Sequence, residues 1–198
     1  MDESFLVVGL GNPGPEYSET RHNIGFKSLD FLRKKIVPPS FFKYEDEYQA
    51  EILVGKLEGF SVCLVKPQTF MNLSGKAVRS ILTDFTVVPQ KIIVVHDDLD
   101  LPLGRMKLKC GGGSGGHNGI KSLIEELGST DFLRLRIGVS GVSRSPNTID
   151  YVLSPFAEIE KEVVLEVIER SVAGLIMTLR LGVAAAMNQV NRRGPELL

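Results

Sequence analysis

Cysteine is scarce in these 198 residues, and the two present, Cys63 and Cys110, show neither CxxC nor Cys/His spacing. A disulfide framework or a zinc site is therefore not expected, and both thiols read as reduced and structural. Long apolar runs are missing too: none approaches the roughly 20 residues needed to span a bilayer. The start of the chain, Met1-Asp2-Glu3-Ser4-Phe5, is acidic where a secretory signal is basic, and the apolar residues 5–10 are too few for a signal core, so a cytoplasmic location is expected. Repeats, low-complexity tracts and linkers are absent, and the length suits one domain covering 1–198 with one site. Net charge is nearly absent as well, at −1, which argues against broad nucleic-acid affinity through charge alone. That average hides a local excess. Between Arg105 and Arg136 stand six basic residues (Arg105, Lys107, Lys109, Lys121, Arg134, Arg136) against three acidic ones (Glu125, Glu126, Asp131). Charge alone does not choose between a phosphate-facing surface and an ordinary solvated one.

What the chain does contain is 43% hydrophobic and 24% charged residues, the balance of a globular domain. Residues 5–10 form an unbroken apolar run that ends in Gly11-Asn12-Pro13-Gly14, which predicts a buried strand entering a tight loop. Phe26, Leu29 and Leu32 at helical spacing predict a helix over 25–35, stopped by Pro38-Pro39. Residues 49–56 and 60–66 read as a hairpin around Leu57-Glu58-Gly59. A helix over 72–82 and a buried strand over 91–96 follow; strands over 105–110 and 133–140 flank a helix beginning near Asn118. Ile159, Val163, Val167, Leu175 and Leu179 suggest a long amphipathic helix over 156–181, with a shorter one over 184–191. Interleaved helices and strands with an antiparallel hairpin give an α/β fold: a single domain with a mixed β-sheet packed by helices on its faces.

Two motifs invite misreading. Gly9-Leu10-Gly11-Asn12-Pro13-Gly14 fits the GxGxxG of dinucleotide-binding loops, but Pro13 and Pro15 stand where the cofactor helix would be running. The acidic partner fails as well, because Asp30 falls in a predicted helix and not at a strand end. Gly112-Gly113-Ser114-Gly115-Gly116 satisfies GxSxG, yet a serine nucleophile of that kind needs an acid and then a histidine well downstream, and the last histidine is His117. No nucleotide cofactor and no serine nucleophile are expected.

Only three histidines are available as acid–base groups: His22, His96 and His117. His22 lies in a polar loop where no apolar periodicity explains it; His96 closes an apolar strand; His117 either contacts a ligand or caps a helix. Asn12 and Asp97 each follow a buried strand, where ligand crevices of open α/β sheets gather. A carboxylate bonded to one imidazole nitrogen fixes the tautomer and stabilises the imidazolium formed when the other nitrogen takes a proton. With no serine or cysteine nucleophile, general-base activation of water by His22, oriented by Asp97, is the economical mechanism, with the amides of Asn12, Asn72 and Asn118 orienting substrate and oxyanion. Asn72 and Asn118 serve equally well as helix caps. The cluster His96-Asp97-Asp98-Leu99-Asp100 has some metal-ligand character, but no second cluster completes a site, and no metal is expected.

Several segments together resemble the bacterial-type peptidyl-tRNA hydrolase family over essentially the whole chain: GLGNPG at 9–14, Tyr17, TRHNIGF at 20–26, KPQTFMNLSGKAV at 66–78, HDDLDLPLG at 96–104, KLKCGGGSGGHNGIKS at 107–122 and RLRIG at 134–138. The resemblance implies a twisted mixed sheet, a monomer with no cofactor, and cleavage of the ester joining a peptide to tRNA. It implies that His22 is the base and that Asp97 holds it in the proton-accepting form. It makes Asn12 a reader of the blocked amino group, and brings Tyr17, Phe70, Asn72 and Asn118 to the tRNA end or the peptide. Lys107, Lys109 and Arg136 would face tRNA phosphates. Many relatives are basic overall and this chain is not. Relatives of this fold also act in plant organelles as RNA-binding proteins in splicing; the complete polar set here favours an enzyme.

Overall fold

The computed structural model describes residues 4–141 and 147–192. The acidic residues 1–3 noted above lie outside that range. Seven strands form one sheet: β1 (Ser4–Gly9), β2 (Lys43–Glu45), β3 (Ala50–Leu57), β4 (Phe60–Pro67), β5 (Ile92–Pro102), β6 (Met106–Cys110) and β7 (Leu133–Ser140), in the spatial order β2-β3-β4-β1-β5-β7-β6. The inner strands β4, β1, β5 and β7 are parallel, and each margin is antiparallel, through β2 and β3 on one side and β6 on the other. The sheet is mixed, as the hairpin and the interleaved helices predicted.

Side chains alternate across the strands and fill two cores. Val7, Leu64, Ile93, Val95, Leu133, Leu135 and Ile137 face helices α1 (Ile24–Leu32), α5 (Lys161–Leu181) and α6 (Val183–Val190). Leu6, Val8, Val65, Ile92 and Val94 face the other way, toward α2 (Ser74–Asp84) and α3 (Asn118–Leu127). Each fully buried aliphatic side chain contributes about 1.5–3 kcal/mol through its removal from water.

Several boundaries differ from the sequence reading. α5 begins at Lys161, because residues 158–160 form a separate 3-10 turn in which Ile159 is 79% exposed; the packed face is Val164, Val167, Ile168, Val172, Leu175 and Leu179. The short edge strand β2 and the five-residue helix α4 (Thr148–Val152) carry too few residues for periodicity to show. β5 does not stop at His96. It outruns β1, whose last partner is Val95, and continues along β7 to Pro102 with a register irregularity after Asp98. Asp97 thus sits within a strand, at the point where the neighbouring strand has ended.

Glycine sets how closely the first loop and first helix approach the sheet. A Cβ on Gly25 would come within 2.5 Å of the backbone N and O of Leu10 and of the Val95 oxygen, and one on Gly9 would lie 2.6 Å from the Gly25 oxygen. Gly9 and Gly11 of the GxGxxG pattern therefore serve packing against α1, and Pro15 opens a 3-10 turn where a cofactor helix would start.

Candidate active site

His22 occupies the middle of a 3-10 turn, Arg21–Asn23, that leads into α1. Its ring Nδ1 lies 2.8 Å from Asp97 Oδ1. An ionised carboxylate only accepts, so this bond requires the Nδ1–H tautomer and leaves a lone pair on Nε2, which has no protein partner among the described residues. The turn is braced from behind: Asn23 accepts the Asn12 backbone N–H at 2.9 Å and returns its own amide to the Asn12 carbonyl at 2.9 Å.

Asp97 gathers all three histidines. Oδ1 also receives His117 Nε2 at 2.9 Å, and the Asp97 backbone carbonyl receives His96 Nδ1 at 2.7 Å. His117 Nδ1 accepts the backbone N–H groups of Gly119 and Ile120 at 3.1 and 3.3 Å, so this histidine, and not Asn118, is the N-cap of α3. Asn72 caps nothing either; it is exposed in the 3-10 turn Met71–Leu73 before α2. The His117 cap fixes Nδ1 as an acceptor and Nε2–H as the donor to Asp97. His96 packs edge-on against His117 with ring centroids 4.7 Å apart, and its Nε2 is buried without a partner.

The electrostatics follow from burial and that one carboxylate. Burial works against the His22 imidazolium, but the charge and hydrogen bond of Asp97 outweigh it and raise the pKa above the ordinary histidine value. Burial would likewise push Asp97 up; His22 and His117, by charge and hydrogen bond, hold it well below the carboxylate range. At His96 burial, then the neighbouring His117, outweigh the charge and the backbone carbonyl of Asp97 and bring it down to about 3, so it is neutral.

A cavity of about 520 Å³ opens on this group, lined by His22, His96, Asp97, Lys109, Gly113–Asn118, Arg134, Arg136 and, from α4, Thr148, Ile149 and Val152. Lys107 pairs across strands with Arg136, and Lys109 with Arg134, so four cations share one face of β6 and β7 beyond the cover of α2 and α3. They differ in their freedom. Lys107 and Lys109 are exposed; Arg136 is bound to Asp98; Arg134 is buried and donates to the carbonyls of Gly112 and Gly113, both at 2.6 Å. The glycine run, with positive φ at Gly111, Gly112, Gly115 and Gly116, is thus pinned by Arg134. Sequence reasoning counted Arg134 only as charge, because its partners are backbone atoms of a distant loop.

Of the other expected residues, Asn118 lines the cavity at the start of α3. Asn12 is buried: its Oδ1 accepts the Met71 backbone N–H at 2.8 Å, and its amide nitrogen has no partner among the described residues. Tyr17 and Phe70 stand edge to face, 6.5 Å between centroids, with Phe70 57% exposed; these two, with Asn72 and Asn12, lie outside the cavity lining. Ser114 lines the cavity, but it meets His117 through its backbone carbonyl, at 3.1 Å from the His117 N–H. The ligand atoms of His22, Asp97 and His117 fall within 4.8 Å of one another, close enough for a metal ion, though two N–H donors on one carboxylate oxygen already account for the arrangement. Both cysteines are free, Cys63 buried and Cys110 exposed at the end of β6.

One mixed sheet covered by helices on both faces, with a His–Asp pair where its parallel strands end, is an α/β arrangement suited to hydrolysis. The peptidyl-tRNA hydrolase family model matches residues 6–196, and the chain belongs to that family of ester hydrolases. It is 44% identical to a peptidyl-tRNA hydrolase of Rhodococcus opacus over 193 residues, covering 96% of this chain and 99% of the relative. A peptidyl-tRNA hydrolase of Aquifex aeolicus is 43% identical over 188 residues, covering 95% and 96%. The crystal structure of peptidyl-tRNA hydrolase from Acinetobacter baumannii superposes with a TM-score of 0.90 at 34% identity, covering 98% of each chain.

Proposed function

We propose that the enzyme cleaves the ester between peptide and terminal ribose in peptidyl-tRNA released prematurely from ribosomes, with His22 Nε2 as the general base that takes a proton from the attacking water. The observation that carries this reading is the 2.8 Å bond from His22 Nδ1 to a buried, ionised Asp97, which leaves Nε2 free on a residue that lines the cleft. Water attacks the ester carbonyl, the tetrahedral oxyanion collapses, the ribose hydroxyl leaves with the proton carried by the imidazolium, and Asp97 stabilises that cation. The amide of Asn118 is a donor for the oxyanion, and the unpartnered amide nitrogen of Asn12 suits recognition of the blocked amino group.

In this reading Tyr17, half-buried, and the exposed Phe70 and Asn72 meet the tRNA end or the peptide, and Lys107, Lys109 and Arg136 face the phosphates. The same reading makes the protein a cytoplasmic monomer that needs no cofactor. Among the described residues no helix is long and apolar enough to cross a membrane. The test is single-turnover hydrolysis of an N-acylated aminoacyl-tRNA. His22→Ala is expected to lower turnover by about 10²–10⁴-fold, the range of general-base catalysis, while tRNA binding persists. EDTA is expected to leave the rate unchanged. Turnover that survives His22→Ala removes the base assignment, loss of activity in EDTA brings back a metal at His22, Asp97 and His117, and binding without release makes the protein a binding module.

A further inference from the structure

The turn that carries His22 is anchored on its far side to a separate stretch of chain. Arg21 is buried, its side chain 4% exposed, and its guanidinium lies between the rings of Tyr151 and Phe156 at 4.5 and 4.6 Å from their centroids. One terminal nitrogen meets Glu160 Oε2 at 2.6 Å, and the other donates to the Val139 carbonyl at 3.0 Å. The Arg21 backbone N–H donates to the Ser154 carbonyl at 3.1 Å, and Thr20 bridges to Pro155. Tyr151 returns to the same place: its hydroxyl donates to the Val139 carbonyl at 3.0 Å and accepts the Gly141 N–H at 2.8 Å. Glu160 Oε2 also accepts the Ala157 N–H at 2.8 Å. One side chain therefore ties residues 151–160 to the end of β7 and to the His22 turn.

This is an expensive way to fill a core. A buried ion pair loses hydration that its mutual attraction seldom more than offsets, and apolar residues of similar volume often serve stability as well. Arg21 Nε is, besides, buried with no partner. What a planar guanidinium supplies and an aliphatic chain does not is geometry, with two faces for rings and a rigid fork of donors. The element so fixed is α4, which ends at Val152 and brings Thr148, Ile149 and Val152 to the cleft that Lys109, Arg134 and Arg136 also line. In a 3-10 turn successive side chains diverge by a third of a turn, so Arg21 grips this wall while His22 points to Asp97.

We propose that Arg21 is a positioning residue, which with Glu160 holds the apolar α4 wall at a set distance from His22 and thereby sets affinity for the peptide part of the substrate. The inference rests on the peptidyl-tRNA hydrolase reading above. Ile149 and Val152 offer methyl groups to amino-acid side chains, and the wall carries no cation for phosphates, so its loss acts on substrates in proportion to their peptide.

The experiment compares wild type with Arg21→Lys and Glu160→Gln on two substrates, an N-acetyl-aminoacyl-tRNA and a tRNA bearing a peptide of several residues. Lysine keeps the charge and loses the stacking and the fork; glutamine keeps an acceptor for Ala157 and loses the charge. Both variants are expected to raise KM about tenfold for the peptide-bearing substrate with kcat within about twofold, the signature of lost uniform binding. KM for the short substrate and the pH dependence of kcat are expected to stay put. Variants that keep the native circular dichroism and show unchanged KM for the long substrate overturn the proposal. So does a KM that rises equally for both substrates, or a fall in kcat with a displaced pH profile, which means that Arg21 acts through His22. If Arg21→Lys does not fold, Phe156→Leu removes one stacking ring and reads the same comparison. Wild type inactive on both substrates removes the functional reading along with this one, whereas active wild type with indifferent variants removes only the role of Arg21.

Discussion

A single oxygen, Asp97 Oδ1, receives two imidazoles, and that sharing decides how the site responds to pH. As the proposed base His22 must be neutral, and its raised pKa predicts activity that climbs with pH through a value above the ordinary histidine one, to be checked by the pH profile of kcat/KM. Asp97→Asn removes both influences that raise it and leaves the burial that lowers it. The activity limb of kcat/KM is therefore expected to move to lower pH while the maximal rate falls by about 10²–10⁴-fold; a limb that stays in place would show that another group is the base. Stability has its own pH dependence. His96 is neutral when folded down to about 3 but takes a proton from 6.5 downward when unfolded, so its effect is a loss of stability as pH falls through that window. His22 has the opposite sign: its contribution is whole below 6.5 and fades as pH rises through the raised value. Together these two groups place maximal stability near pH 6.5, and urea titrations from pH 5 to 8 are expected to show His96→Gln flattening the acid side only.

Elements meet at distances that glycine permits. Gly25 in α1 would ordinarily gain about 1 kcal/mol of helix propensity on replacement by alanine. Here the added Cβ falls 2.5 Å from backbone atoms of Leu10 and Val95, which have no rotamer to yield. Gly25→Ala is expected to cost about 1–3 kcal/mol and, at about 2–4 °C per kcal/mol for a chain of this size, to lower Tm measurably. It also pushes the His22 turn away from β5, so hydrolysis should fall with stability; a stabilised variant would contradict this packing. The helices and inner strands were legible because their apolar positions repeat over several turns or fill a short unbroken run, as in residues 5–10. β2, α4 and the end of β5 were not. The first two are shorter than a period can show, and β5 beyond His96 turns polar because its partner on one side has ended while β7 continues. Ile159 fits the helical spacing of α5 and yet belongs to the turn before it, since spacing does not mark where a helix starts.

At the scale of the molecule, a net charge of −1 coexists with a strip of four cations on β6 and β7 that strand pairing brings together. Lys107→Ala and Lys109→Ala are each expected to weaken tRNA binding, to leave kcat intact, and to reduce the slope of log K against log salt by about 0.7–0.9, the release of one phosphate counterion. Arg136, already bound to Asp98, is expected to change that slope less, and a salt slope indifferent to both lysines would move the RNA surface elsewhere. The sequence by itself determined the class of fold, through the alternation of apolar periods. It also determined the short list of groups able to do acid–base chemistry, because only three histidines exist, and the family resemblance pointed to His22 among them. Only the tertiary structure decided that all three converge on Asp97, that His117 and not Asn118 caps α3, that Arg134 pins the glycine loop, and that Arg21 holds α4. Apart from the α3 cap and the bond between His96 and its neighbour Asp97, these contacts join residues remote in sequence, at distances set by strand register and by the approach of helix to sheet, and no local pattern of residues encodes such a distance.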